Sequence, residues 1–256
     1  MGVLNVTPDS FSDGGEWVDP DRAARRAREM VREGADIIDV GGESTRPGAR
    51  PVPTAEELRR VLPVIQRLTR DGTLVSIDTS KAAVAEAAFQ AGAKILNDVT
   101  ALRGDRRMAR VAARAGVAVI LMHRKGTART MQKKPVYRDV VAEILVFFRK
   151  ILKIALRSGI HRDRIILDPG IGFGKSLQHN LEILRRLGEF RGLGLPVAIG
   201  TSRKSFIGDA LGREVGDRLN GTAATVAAAI LRGADVIRVH DVREMSDVAR
   251  MTDLLR

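Results

Sequence analysis

Gly34-Ala35-Asp36-Ile37-Ile38-Asp39 is the stretch that decides the fold, because its pattern returns three more times. The repeats are Gly92-Ala93-Lys94-Ile95-Leu96-Asn97, Gly116-Val117-Ala118-Val119-Ile120-Leu121-Met122-His123 and Gly233-Ala234-Asp235-Val236-Ile237-Arg238-Val239-His240. In each, a glycine stands where a helix closes in the left-handed conformation, and a short apolar run then leads to a polar residue. Runs this short and this rich in β-branched residues read as parallel strands buried on both faces. Working outward, comparable runs occupy residues 3–4, 37–40, 74–78, 95–97, 117–122, 165–168, 197–200 and 236–239. Helical patterns lie between them. One starts at Asp19-Pro20, and another at Thr54-Ala55-Glu56-Glu57, which has the spacing of a capping box. The second continues with Leu58, Val61, Leu62, Ile65 and Leu68, an apolar stripe that faces a sheet. Eight strands alternating with helices predict an α/β chain folded as a (β/α)8 TIM barrel, a single domain spanning residues 1–256.

Length and composition agree with one large barrel and narrow the function classes. The 256 residues are 44% apolar, and no apolar run approaches the roughly 20 residues that span a bilayer. The N-terminus lacks the charged start, long apolar middle and small-residue cleavage site of a signal peptide, so no membrane association is expected. With no cysteine, disulfides, thiolate metal sites and cysteine nucleophiles are excluded, and a cytoplasmic location is the default. The net charge of +12 invites a nucleic-acid reading. Against it, the arginines fall at helix-surface spacing, as in Arg22, Arg25, Arg26, Arg28 and Arg32, and aromatic residues for base stacking make up only 4%. A basic field that attracts small anions fits better, and no nucleic-acid partner is expected.

The strand ends carry the chemistry. In chain order they present Asn5, Asp39 with Glu43, Asp78, Asn97 with Asp98, His123, Asp168, the Ser202-Arg203-Lys204-Ser205 turn, and Arg238 with His240. A single Asp at a strand end can be a helix cap, but so many converging on one barrel mouth predict a site, since ionisable groups are costly to bury without a use. Asp78, Asn97 and Asp168 suit a flat heterocycle whose edge offers amino and ring N–H groups. Lys204, Arg238 and His240 suit anionic oxygens. No nucleophile stands out, and no paired histidines suggest zinc. The glycine-rich segment Asp168-Pro169-Gly170-Ile171-Gly172-Phe173-Gly174-Lys175 does not have the spacing of a nucleotide-binding P-loop. Met30, Met108 and Met251 read as core filling.

Seven segments in order resemble the dihydropteroate synthase family. They are residues 1–15 with Asn5-Val6-Thr7-Pro8-Asp9-Ser10-Phe11, then Gly42-Glu43-Ser44-Thr45-Arg46-Pro47-Gly48, Ser76-Ile77-Asp78-Thr79 and Asn97-Asp98-Val99. They continue with the glycine-rich segment from Asp168, Gly200-Thr201-Ser202-Arg203-Lys204-Ser205-Phe206-Ile207 and Arg238-Val239-His240-Asp241-Val242. The resemblance implies a transferase of folate biosynthesis that joins 6-hydroxymethyl-7,8-dihydropterin diphosphate to 4-aminobenzoate. By the same resemblance, Asp78, Asn97, Met122, Asp168, Phe173, Gly200, Lys204 and Arg238 would bind the pterin, with Asp78, Asp168, Lys204 and Arg238 carrying the catalysis. Asn5, Thr45, Arg238 and His240 would meet the diphosphate, and Asn5 would be the protein ligand of a Mg²⁺ ion. Phe11, Arg46, Pro47, Lys204 and Ser205 would form the aminobenzoate pocket, where sulfonamides compete in this family. The loops carrying Asp9-Ser10-Phe11 and Ser44-Thr45-Arg46 would close over the substrates. A homodimer is the family expectation, with residues 223–231 as one candidate surface. The alternatives are a pterin-binding methyltransferase domain of the same fold, which would need neither the Ser202-Arg203-Lys204 turn nor Asn5, and a noncatalytic basic binding protein.

Overall fold

The computed structural model describes residues 1–7, 19–44, 49, 51–126 and 135–256. Among these residues eight parallel strands are present: β1 (Gly2–Asn5), β2 (Ile38–Gly41), β3 (Val75–Asp78), β4 (Ile95–Asp98), β5 (Ala118–Met122), β6 (Ile165–Asp168), β7 (Ala198–Ile199) and β8 (Val236–Ile237). β1 to β6 pair consecutively and β7 pairs with β8. Single bridges, Leu167 to Val197 and Gly2 to Val239, join the two sets at both seams and close the ring. The expected barrel is therefore observed, with strand bounds within a residue or two of the expected runs.

The intervening helices are α1 (Pro20–Arg32), α2 (Thr54–Arg70), α3 (Ala82–Gln90), α4 (Met108–Ala115), α5 (Val140–Arg157) and α6 (Leu177–Arg185). After β7 come two, α7 (Ser205–Leu211) and α8 (Leu219–Leu231), and α9 (Val242–Asp253) ends the chain. Asp19 caps α1 as expected, accepting from the Asp21 N–H at 2.8 Å. The four glycines that opened the sequence reading all adopt positive φ, from +62° at Gly116 to +107° at Gly34.

Two local expectations are overturned. The capping box at Thr54 does not form: Pro53 holds the N-cap position of α2 without a side-chain bond. Glu57 is instead fully buried, accepting from the Thr79 hydroxyl at 2.7 Å and from the Lys81 ammonium. A buried carboxylate beside a lysine gains more from that pairing than from a backbone N–H at a helix end. Met251 is not core; it is 57% exposed on α9, whereas Met30 and Met108 are buried as expected.

The period-2 alternation of the strands explains how one barrel holds both a core and a polar site. Residues such as Ile38, Val40, Ile77, Leu96, Val119, Leu121, Ile165, Leu167, Val197 and Ile199 pack outward with the helices in one large apolar cluster. A second, small cluster of Ile95, Ile120 and Ala198, with Met1, Ile37, Ala118, Ile166 and Val236, draws on seven strands or their first residues. Only the barrel interior brings these together. Two residues further along the same strands stand Val3, Asp39, Asn97, Met122, Asp168, Gly200 and Arg238. Each inward row thus begins as an apolar plug, and most turn polar toward the C-terminal mouth.

Candidate active site

The mouth contains a cleft of about 450 Å³, continuous with solvent and lined by Asp78, Asn97, Met122, Asp168, Phe173, Gly200, Lys204, Arg238 and His240, with Val99, Ile171 and Ser202. All eight residues expected at the pterin are in this lining, and so is His240. Asn5, half-buried at the end of β1, is not in the lining but stands beside it. A Cβ added to Gly41 would lie 3.6 Å from the Asp78 Cβ and 3.9 Å from the Asn5 amide oxygen, so that glycine forms the floor between them. Ser205, the first residue of α7, is exposed outside the cleft. Phe11, Thr45, Arg46 and Pro47 lie outside the described residues.

Arg238 organises the centre. Its Nε donates to Asp39 Oδ2 at 2.7 Å and its Nη2 to Asp78 Oδ2 at 2.9 Å, while the Asn97 amide also donates to Asp39 Oδ2 at 2.9 Å. Asp39 on β2 is fully buried and acts as the hub of this network, a role the strand-end reading did not assign to it. The signal was present in the sequence, since Ile38-Asp39-Val40 puts a carboxylate inside an otherwise apolar strand. One guanidinium thus faces two buried carboxylates. Burial, opposed by Arg238 and reinforced by Asp39, pushes the Asp78 carboxyl up to about 7. Among the described residues, the buried acceptors Asp39 Oδ1 and Asp78 Oδ1 have no hydrogen-bond partner.

Across the cleft, Asp168 Oδ1 accepts from the Gly170 N–H at 2.7 Å. Burial raises its pKa, against the pull of that N–H and of Lys204. The Lys204 ammonium donates to the Ile171 carbonyl at 2.6 Å and lies 4.1 Å from the centre of the Phe173 ring. Burial lowers it to about 8, with Asp168 opposing. Lys204 leads into α7 from the turn after β7, where Arg203 adopts a left-handed φ of +58° and pairs with Asp241. Ser202 accepts from the His240 N–H at 3.1 Å and lies 3.0 Å from its ring Nδ1, tying the β7 and β8 ends together.

The glycine-rich segment after β6 is shaped by close approach. Gly170 and Gly174 have φ of +72° and +70°, and a Cβ there would fall 2.0 Å from the His123 carbonyl oxygen and 2.2 Å from that of Lys125. Lys175 turns back beneath this segment, donating to the Phe173 carbonyl at 3.0 Å and the His123 carbonyl at 3.3 Å, with its Nζ 3.0 Å from His123 Nδ1. His123, stacked edge-on against Phe147 at 4.8 Å, is therefore held by this support and is not a cleft residue.

Among the described residues no three His, Asp or Glu side chains gather as a metal cage. Asn5 offers one neutral oxygen donor at the mouth. That suits Mg²⁺, a hard ion that binds through one or two protein oxygens and completes its shell with substrate phosphates and water.

A family model described as pterin binding enzyme matches residues 1–240. The dihydropteroate synthase of Bacillus subtilis is 47% identical over 238 residues, spanning 93% of this chain and 81% of that protein. Among solved structures, a dihydropteroate synthase from Clostridium difficile, determined in the presence of pteroic acid, superposes with a TM-score of 0.93 at 48% identity. It covers 100% of this chain and 95% of its own. The Xanthomonas albilineans dihydropteroate synthase in complex with 7,8-dihydropteroate gives 0.90 at 41% identity, covering 100% and 92%. With the closed barrel and its acidic, arginine-forked mouth, these likenesses make the chain a member of the pterin binding enzymes and, within them, of the dihydropteroate synthases, transferases of folate biosynthesis.

Proposed function

We propose that this mouth joins 6-hydroxymethyl-7,8-dihydropterin diphosphate to 4-aminobenzoate, forming 7,8-dihydropteroate and diphosphate. The observation that carries the residue assignment is the buried, unpartnered Asp78 Oδ1 in a cleft it shares with Asn97 and Asp168. A buried acceptor without a donor is costly, and a pterin edge with amino and ring N–H groups supplies donors. Structures of the related Xanthomonas albilineans dihydropteroate synthase, one in complex with 7,8-dihydropteroate and one with 4-aminobenzoic acid, support the same substrate pair.

The chemistry follows from charge. As the bond between the pterin methylene and the diphosphate oxygen breaks, positive charge spreads over the electron-rich ring, and Asp78 and Asp168 stabilise it. Negative charge grows on the leaving diphosphate, toward which Arg238 and His240 are assigned, together with Thr45. The aminobenzoate nitrogen attacks the methylene and gives up a proton, so no covalent enzyme intermediate is needed. Lys204, with Phe11, Arg46, Pro47 and Ser205, is assigned to the aminobenzoate. Asn5 would hold Mg²⁺ that arrives with the diphosphate, and the ion when bound neutralises that group's charge. The same reading carries one pterin-binding domain over residues 1–256, a cytoplasmic location and a homodimer. The exposed Leu219 and Leu231 of α8 and Met251 of α9 offer apolar surface for the last. Among the described residues no helix is long and apolar enough to cross a membrane.

The test mixes protein, Mg²⁺, pterin diphosphate and aminobenzoate and follows diphosphate. Release that requires both organic substrates is expected; release independent of aminobenzoate, or none, contradicts the reading.

A further inference from the structure

Behind one wall of the cleft, a single peptide group joins α6 to Lys204. The segment after β6 folds back at residues 170–173 in a tight turn, closed by the Phe173 N–H donating to the Gly170 carbonyl at 3.1 Å. Gly172, the third residue of that turn, has a φ of +82°, the value a type II turn requires there. The peptide between Ile171 and Gly172 is the centre of the turn, and both of its polar atoms are engaged. Its N–H donates to the Asn180 side-chain oxygen at 2.8 Å, and its carbonyl accepts from the Lys204 ammonium at 2.6 Å. The Lys204 side chain runs alongside, since a Cβ on Gly172 would come within 3.0 Å of Lys204 Cδ. In a trans peptide the N–H and the C=O point in opposite directions, so the bond to Asn180 on one side aims the carbonyl at Lys204 on the other. Asn180 itself is buried on α6 and does not line the cleft. The start of that helix is fixed by a capping box, in which Ser176 Oγ accepts from the His179 N–H at 3.3 Å and His179 Nδ1 from the Ser176 N–H at 3.2 Å.

We propose that Asn180 is a positioning residue for Lys204, acting by holding the Ile171–Gly172 peptide in the orientation that turns its carbonyl to the ammonium. The inference rests on the assignment of Lys204 to substrate under Proposed function. Its physical content is a choice between two turns. Types I and II differ by a half rotation of the central peptide, and a glycine in the third place permits either. In the type I form the Ile171 carbonyl leaves Lys204 and the Gly172 N–H faces it instead, a donor against a donor. The acceptor on the far side removes that alternative: a flip would strip a donor from the buried Asn180 oxygen and an acceptor from the Lys204 ammonium together. Lys204 and Phe173 both line the cleft, with the ammonium 4.1 Å from the centre of that ring, so a flip displaces two cleft side chains at once.

The test uses the full chain, with 6-hydroxymethylpterin as the probe. Asn180→Leu keeps the volume of the side chain and removes the acceptor. Hydrogen exchange at the Gly172 amide is expected to quicken about tenfold or more in that variant, with the β6 amides unchanged. The Kd of the pterin by calorimetry is expected to rise about tenfold when Asn180→Leu is made in the wild type. In a Lys204→Met background the same change is expected to cost less than about twofold, because an effect carried by Lys204 vanishes with it. Equal losses in the two backgrounds, which a general loosening of the fold would produce, overturn the proposal, and so does an unchanged Kd or unchanged Gly172 exchange. One measurement needs no variant to fold: a wild-type Gly172 amide that exchanges as fast as an open loop also overturns it. If the wild-type chain neither bound the pterin nor released diphosphate, the functional reading would fall, and Gly172 exchange would still decide whether Asn180 holds the turn.

Discussion

Arg238 and Lys175 are both basic side chains drawn into the mouth of the barrel, yet among the described residues Arg238 meets two carboxylates and Lys175 meets none within hydrogen-bonding reach. Arg238 forks between Asp39 and Asp78 and stays charged. Lys175 is surrounded by two carbonyl oxygens and the His123 ring, and burial drives its pKa well below the ordinary lysine value. Burial and the nearby Lys175 likewise hold His123 down to about 2, so its ring is neutral at any physiological pH. The difference separates two uses of a buried basic group. Where carboxylates accept directly from the cation, its charge is held and faces the cleft; where the direct contacts are neutral acceptors, burial disfavours the charge, and the side chain serves as a strut beneath the segment that carries Phe173. The site is thus an ionic half built on strand ends and a supporting half of carbonyl and imidazole contacts that shapes the segment after β6.

The comparison is broken most severely by Arg238→Met. It leaves Asp39 and Asp78 buried without their shared cation, which costs about 3–5 kcal/mol when one partner of a buried pair is removed. A turnover loss of a thousandfold or more is expected, and a denaturant midpoint measured alongside would show the stability cost. A midpoint and rate near wild type would remove Arg238 from its central place. A smaller effect follows from Asp78. Its raised pKa means the folded chain holds a proton between about pH 4 and 7 that the unfolded chain has released. Its contribution to stability is therefore present at low pH and is lost as pH rises toward 7. Subtracting the stability of Asp78→Asn from that of wild type should give a difference that falls from pH 5 to 7.5; a flat or rising difference would contradict the shift. Smallest is Lys175→Met, which removes the strut and leaves carbonyls short of a donor at about 1–3 kcal/mol. The kcat/KM for pterin is expected to fall by less than tenfold, mostly through KM. A loss as large as that of Arg238→Met would mean Lys175 acts on substrate and not as a strut.

What the sequence made legible is what local spacing controls. The four glycine turns, the eight apolar runs and the Asp19 cap depend on a few consecutive residues, and all appear where their residue types put them. The polar ends of those runs pointed to the mouth for the same reason, because inward residues alternate along each strand. Contacts between distant parts of the chain stayed hidden. Glu57 looked like half of a capping box three residues from Thr54, but Thr79 and Lys81, 22 and 24 residues away, draw it into the interior. Lys175 and His123 are 52 residues apart, and nothing in either segment announces the other. Asp39 was visible as a charge in an apolar strand, but its role as hub depends on Arg238, 199 residues away. Met251 carried the apolar character of a core residue, on a face of α9 that nothing in the chain covers among the described residues.

The central claim is that the ionic half of the mouth recognises a pterin through acceptors left unpaired for it. Calorimetric titration of 6-hydroxymethylpterin into wild type and Asp78→Asn at pH 8, where the Asp78 carboxyl is ionised, tests this most directly. Replacing the acceptor-only carboxylate by an amide that also carries donors should weaken binding about a hundredfold, roughly 2.7 kcal/mol, while the barrel stays folded by circular dichroism. Wild-type affinity in the variant would contradict the account.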